Sequence, residues 1–210
     1  MIKKNIKILV ITSVITLLPI LAGLILWNQL PEQMPTHWNA AGEIDGWSSK
    51  PFAVFCLPLI LLGAQWLCVI ATSADPKKAA HPEKILHMIF WFIPVSSVVM
   101  HALTYAAALG KEVKMESVLP VILGLLFTII GNYLPKCKQN YTIGIKVPWT
   151  LDNEENWNRT HRLAGRLWVV CGLIILFTGF FNLTWILLPT ALLMVLVPFV
   201  YSYMLYRKGV

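Results

Sequence analysis

Six apolar blocks, each about as long as a helix needs to cross the hydrocarbon core of a bilayer, dominate this chain and leave only short charged connections between them. They fall at about 8–28, 52–73, 85–108, 117–134, 164–181 and 184–206. Each must be helical, because an isolated strand in lipid leaves its amides unpaired at a cost of several kcal/mol apiece. Hydrophobic residues make up 57% of the 210 positions and charged ones 13%, about half the charged share of an ordinary soluble domain. The expected fold is therefore all-α, a polytopic membrane protein with six transmembrane helices. The first block follows Lys3, Lys4 and Lys7, as the core of a signal peptide would. It is too long for one, and its downstream flank Gln29-Leu30-Pro31-Glu32 has no small-x-small cleavage site, so an uncleaved first helix is expected.

Basic side chains record the direction of threading. With the N-terminus in the cytoplasm, Lys3, Lys4, Lys7, Lys77, Lys78, Lys84, Lys136, Lys138, Lys146, Arg159, Arg162, Arg166, Arg207 and Lys208 lie inside, and only Lys50, Lys111 and Lys114 outside. Fourteen against three is a strong positive-inside bias, and an even number of spans returns the C-terminus to the cytoplasm. The net charge of +7 thus follows the membrane blocks rather than a soluble face, which argues against direct nucleic-acid binding. The chain divides into a first span (1–28), an extracytoplasmic cap (29–51), spans two to four (52–134), a cytoplasmic segment with an amphipathic helix (135–163) and spans five and six (164–210). Pro19, Pro58, Pro94, Pro120, Pro189 and Pro198 lie in or near every span but the fifth, and Asn182-Leu183-Thr184 alone joins the last two, predicting a tight antiparallel pair.

Between the first two spans, Pro31 and Pro35 stiffen the chain, and Asn39, Gly42 and Asp45-Gly46 supply turn chemistry, which predicts an ordered hairpin-like cap. An interfacial position at headgroup level accounts for Trp38 and Trp47 taken singly. His37 lies near Glu32, Glu43 and Asp45, but no known two-ligand spacing is present and no metal is expected.

The second unusual segment runs from Gly131 to Arg166. Asp152 followed three residues later by Glu155 has capping-box character, so a helix is expected from near Asn153 straight into span five. Its first turn is acidic, as the positive end of the helix dipole favours. Arg159, Arg162 and Arg166 recur at three and four residues and share one face, suited either to lipid phosphates or to an acidic partner. Trp157, His161, Leu163 and Trp168 are expected on the other faces, where the helix enters the membrane.

Polar residues within the spans are few: Gln65, His87, His101 and Asn132. No Asp or Glu lies deep in any span, which disfavours an ion-coupled transporter or permease. No HExxH, GxSxG, paired-carboxylate or glycine-rich phosphate motif is present, and Cys56, Cys68, Cys137 and Cys171 form no metal knuckle, so neither an enzyme nor a cofactor is expected.

Two stretches carry a family resemblance. Leu30-Pro31, Pro35-Thr36-His37-Trp38-Asn39, Gly42, Asp45 and Lys50 resemble the short domain that follows the first span in the SdpI family of bacterial toxin-immunity membrane proteins. Asn132, Pro135-Lys136, Asn140, Ile143-Gly144-Ile145-Lys146, Pro148-Trp149-Thr150-Leu151, Trp157, Thr160-His161-Arg162, Gly165 and Trp168 resemble its signature region, with Lys146 where an arginine is expected. The resemblance implies protection against a secreted antimicrobial peptide toxin, with Pro35, His37, Trp38, Asn39, Gly42, Asp45 and Trp47 of the cap as the candidate toxin-facing residues. It further implies a receptor-like role, holding a cytosolic transcriptional repressor at the membrane. Candidate partner-facing residues are then Asn132, Pro135, Lys136, Asn140, Gly144, Lys146, Pro148, Trp149, Trp157, Arg159, His161 and Arg162, with membrane lipids as the surrounding partner. A scaffold of unrelated role is the competing reading of the same basic segment.

Overall fold

The structure, a computed structural model, describes residues 2–39, 41–77, 82–181 and 183–210, with only the backbone of Thr184. Lys78, counted above among the inner cations, and Asn182, in the last connection, lie outside the described residues. Six helices are long and apolar enough to cross a membrane. They are α1 (Ile6–Ile25), α2 (Leu57–Ala74), α3 (Glu83–Ala108), α4 (Met115–Tyr133), α6 (Glu154–Phe181) and α7 (Leu187–Arg207). The short α5 (Pro148–Asp152) precedes α6, and strands β1 (Gln33–Trp38) and β2 (Ile44–Ser49) form one antiparallel hairpin after α1. The outward faces are apolar: Leu67 is 68% exposed, Val195 64% and Leu188 69%. Such faces fit hydrocarbon and would aggregate in water. The chain falls into two units, residues 1–74 with 86–115 and residues 75–85 with 116–210.

In the first unit, polar side chains occupy the interior. Gln65 of α2 donates through Nε2 to Thr12 Oγ1 (2.8 Å) and accepts at Oε1 from Thr16 Oγ1 (2.7 Å). Ser97 Oγ donates to the Thr16 carbonyl at 2.9 Å, and Tyr105 Oη to that of Pro19 at 3.0 Å. All six of these residues are buried, and their bonds join α1 to α2 and α3 where lipid offers no competing partner. Leu9, Val69 and Phe90 pack at one end of this unit, and Leu30, Met34, Ala53, Val54 and Tyr105 at the other. The chain enters α2 through a wide turn, Phe52–Cys56, closed by the Leu57 amide on the Phe52 carbonyl, immediately before Pro58, which has no amide to donate.

In the second unit a glycine seam sets how closely α4 and α6 approach. A Cβ on Gly124 would lie 2.4 Å from the Leu176 nitrogen, and one on Gly172 would lie 2.6 Å from that of Thr128. Gly131 and Gly165 repeat the arrangement one stage along, with Pro135 lying over Gly165. Small residues at such spacing let backbones meet and dispersion hold them, the usual source of helix association in lipid. Against α7, Cys171 and Ile175 pack on Met194. Pro198 cannot donate to the carbonyl four residues back, and that carbonyl, Met194, accepts instead from Trp168 Nε1 at 2.9 Å. Pro189 sits in the first turn of α7, where a missing amide costs nothing.

Helix α6 begins as expected but with a different cap. Asn153, not Asp152, precedes it, and Asn153 Oδ1 accepts from the amides of Glu155 (2.8 Å) and Asn156 (3.0 Å). Asp152 instead ends α5, because Pro148 starts a separate short helix there. A second correction concerns Trp157 and His161, expected on faces entering the membrane. Both are completely buried, 0% and 1% exposed, beneath the segment that precedes α5.

Candidate functional site

The hairpin and the signature segment are the two longest stretches of described chain outside the spanning helices, and each is built locally. In the hairpin, Pro35 pairs with Trp47, His37 with Gly46 and Trp38 with Ile44. One extra residue on each strand, Thr36 and Asp45, makes compensating bulges that restore the register. The turn is made by Asn39, whose Oδ1 accepts from the amides of Ala41 (2.9 Å) and Glu43 (3.0 Å), and by Gly42, whose φ of 82° a side chain would oppose. Pro35 is buried with Met34. Lys50 is also buried, donating to Glu32 Oε1 (2.9 Å) and the Trp27 carbonyl (3.2 Å) above the Trp27 ring. What the hairpin presents outward is His37, with Nδ1 2.5 Å from Asp45 Oδ1, and the ring of Trp47, 56% exposed. Of the candidates read from sequence, Pro35, Asn39 and Gly42 shape the hairpin, Trp38 is half-buried, and His37, Asp45 and Trp47 are free to meet another molecule.

The signature segment is the reverse, a loop whose side chains turn inward. Asn140, 0% exposed, accepts at Oδ1 from the amides of Thr142 (2.8 Å) and Ile143 (2.7 Å). Its Nδ2 donates to the carbonyls of Lys138 (2.8 Å) and Ile143 (2.9 Å). One amide side chain thus satisfies four backbone groups that no helix or strand could. Beside it the Cys137 thiol is pushed up to about 11 by burial, partly offset by the Asn140 amide. Trp157 Nε1 donates to the Cys137 carbonyl at 2.7 Å, and its ring stacks on His161 with centroids 4.0 Å apart. His161 Nε2 accepts from the Ile145 amide (2.9 Å), which leaves the ring proton on Nδ1, 2.8 Å from the Trp157 carbonyl. The tautomer is fixed by its two neighbours. Gly144, at φ 116°, passes over this pair so closely that a Cβ would lie 2.4 Å from His161 Nε2.

Further residues close the loop. Thr150 Oγ1 donates to the Ile145 carbonyl (2.8 Å) and accepts from the Val147 amide (3.0 Å), so α5 is tied to the strand-like run before it. Gln139 Nε2 donates to the carbonyls of Thr150 and Leu151, both at 2.9 Å. Trp149 stacks on Tyr206 and meets Phe199 and Tyr203 edge-on, holding α5 against α7. Asn156 Nδ2 donates to the carbonyls of Ser202 and Val210, fastening the start of α6 to the end of α7.

Sequence reading missed Asp75. At the C-terminal end of α2, 2% exposed, its Oδ2 accepts from the Tyr141 amide (2.9 Å) and Thr142 Oγ1 (2.8 Å). A signal was available, since an acid at a helix C-terminus opposes the helix dipole and needs another reason to be there. The remaining candidates stay at the surface. Asn132, Pro135 and Pro148 are exposed, Lys136 lies 4.7 Å over the Tyr133 ring, and Lys146 Nζ donates to the Thr142 carbonyl at 3.0 Å. That contact needs only a point charge, which a lysine supplies. Arg159 pairs with Glu155, and Arg162 is exposed.

These two features coincide with what known proteins share with the chain. A model of the SdpI/YfhL protein family matches residues 136–202, and a model described as a domain of unknown function (DUF1648) matches residues 14–62. Immunity protein SdpI of Bacillus subtilis (strain 168) is 29% identical over 209 residues, which cover 98% of this chain and 97% of that protein. No solved structure matches. With six membrane-length helices among the described residues, the chain is a multi-pass membrane protein, similar to the SdpI/YfhL protein family over residues 136–202 and to Immunity protein SdpI over nearly its whole length.

Proposed function

We propose that this protein is a membrane immunity protein that shields the cell making it from a secreted, membrane-disrupting peptide toxin. One observation carries the reading: the 29% identity to Immunity protein SdpI runs through 98% of the chain, across spans, hairpin and signature segment alike. Both termini then lie in the cytoplasm, as the fourteen-to-three distribution of basic residues supports. The hairpin faces the toxin, with Trp47 and the His37–Asp45 pair as its contacts, and the chain divides as the sequence suggests, with 29–51 outside and 135–163 inside.

A receptor function is the finer part of the proposal. Toxin held at the hairpin and spans favours one of two arrangements of the helices, and the cytoplasmic segment then retains a small transcriptional repressor at Lys136, Lys146 and Arg159. Such a switch requires that toxin bind one arrangement better than the other; equal affinity shifts nothing.

Expression in a toxin-sensitive host is the test. Survival should rise with the wild-type chain and fall back with His37→Ala and Trp47→Ala together, the variant remaining at the membrane. Unchanged survival with wild-type protein in the membrane defeats the immunity reading. A repressor that fractionates with cytosol whether or not toxin is present defeats the receptor reading alone.

A further inference from the structure

The arginine face of α6 borders a groove of about 290 Å³, lined by Arg159, Arg162, Leu163 and Arg166 with Tyr201 of α7. The signature segment consumes most of its polar side chains in holding its own backbone, but this face is different. Among the described residues Arg159 pairs with Glu155, and neither Arg162 nor Arg166 has an ion pair. Two guanidinium forks one turn apart, on a helix face beside a phenol, form an anion site of the planar, bidentate kind that phosphate oxygens fit.

Depth selects the source of the phosphate. Beyond Arg166 the outward side chains of α6 become hydrocarbon-facing: Val170 is 56% exposed, Leu173 and Ile174 each 43%. Before Arg162 they are polar or charged, as at Glu154, Glu155 and Asn158. Arg162 and Arg166 therefore sit at the boundary between the two, the level at which headgroup phosphates lie, with Leu163 offering an apolar wall to the glycerol end of a lipid. We infer that this groove binds the phosphate of one anionic phospholipid, which bridges α6 and α7. The inference stands apart from the immunity reading and holds or fails without it.

Full-length protein in neutral detergent, titrated with phosphatidylglycerol, phosphatidylcholine or inorganic phosphate and read by native mass spectrometry and thermal shift, tests it. Phosphatidylglycerol should bind about tenfold more tightly than phosphatidylcholine, the scale of attraction that a pair of interfacial arginines supplies. Arg162→Gln with Arg166→Gln should bring that ratio near one, whereas Lys111→Gln with Lys114→Gln should leave it intact. Arg162→Lys with Arg166→Lys keeps the charge and should retain only part of the preference, so the question remains answerable if the glutamine pair fails to fold. Equal binding of the two lipids to wild type overturns the proposal, as does a preference that survives either arginine pair undiminished. Stabilisation by inorganic phosphate alone equal to that by phosphatidylglycerol also overturns it, since the site would then serve a soluble anion.

Discussion

The hairpin between α1 and α2 and the loop between α4 and α6 solve the same problem in opposite ways. Both are irregular chain attached to spanning helices, and both must satisfy backbone groups that no helix serves. The hairpin does so with a strand ladder, which needs no particular side chains, and so His37, Asp45 and Trp47 are left for the surface. The loop has no ladder, and Asn140, Thr150, Gln139, Trp157 and His161 take the backbone's partners' place. A side chain that recurs in a family signature therefore need not touch a ligand. In this loop most of them hold the fold, and only a few point away from it.

The comparison breaks most visibly at Asn140. Asn140→Ala strands four buried or half-buried backbone groups and should cost about 3 kcal/mol, read from SDS-induced unfolding of the reconstituted protein. A loss under about 0.5 kcal/mol, the range of ordinary surface changes, would mean that the loop is held some other way. Cys137 gives a second measure. With its pKa moved from the ordinary 9.0 to about 11, its thiolate at neutral pH falls about a hundredfold, so in a variant with Cys56 and Cys68 replaced maleimide should label Cys137 at least that much more slowly than a free thiol in solution. The raised value means reactivity returns only as pH climbs toward 11, or at once when Asn140→Ala opens the loop.

Gly144→Ala combines a disallowed φ with a Cβ 2.4 Å from His161 Nε2 and should cost about 2 kcal/mol by the same unfolding assay; His161→Ala in the same chain should recover part of it. Last comes Trp47→Ala in the hairpin, which should shift stability by no more than about 0.5 kcal/mol yet lower survival in a toxin-sensitive host. If Trp47→Ala instead unfolds the protein, the hairpin's surface is structural too, and the contrast between the two regions disappears.

Much of the scaffold was legible because it is local. Span boundaries came from hydropathy alone and differ from the helices by a few residues except at the start of α6, whose polar first turns precede the apolar block; the turn at Asn39 and Gly42 came from residue chemistry. The start of α6 was right in place but wrong in detail, since Asn153 and Asp152 are both good caps and only the ending of α5 at Asp152 selects between them. Among candidate residues, the sequence could not separate Trp157, wholly buried, from Trp47, mostly exposed, because both are aromatic residues flanked by polar ones.

What the sequence determined by itself is the solvent: blocks of this length and composition must be helices in lipid, six of them, with a turn-rich excursion after the first. The tertiary structure decided which side chains are spent on architecture. Asp75 reaches an amide 66 residues away, Gln65 a hydroxyl 53 residues away, and the glycines of α4 meet those of α6 backbone to backbone. No window of sequence contains both ends of such a contact. Hydropathy is a property of one segment, whereas a hydrogen bond or a close approach is a property of two, and only folding brings the second into reach.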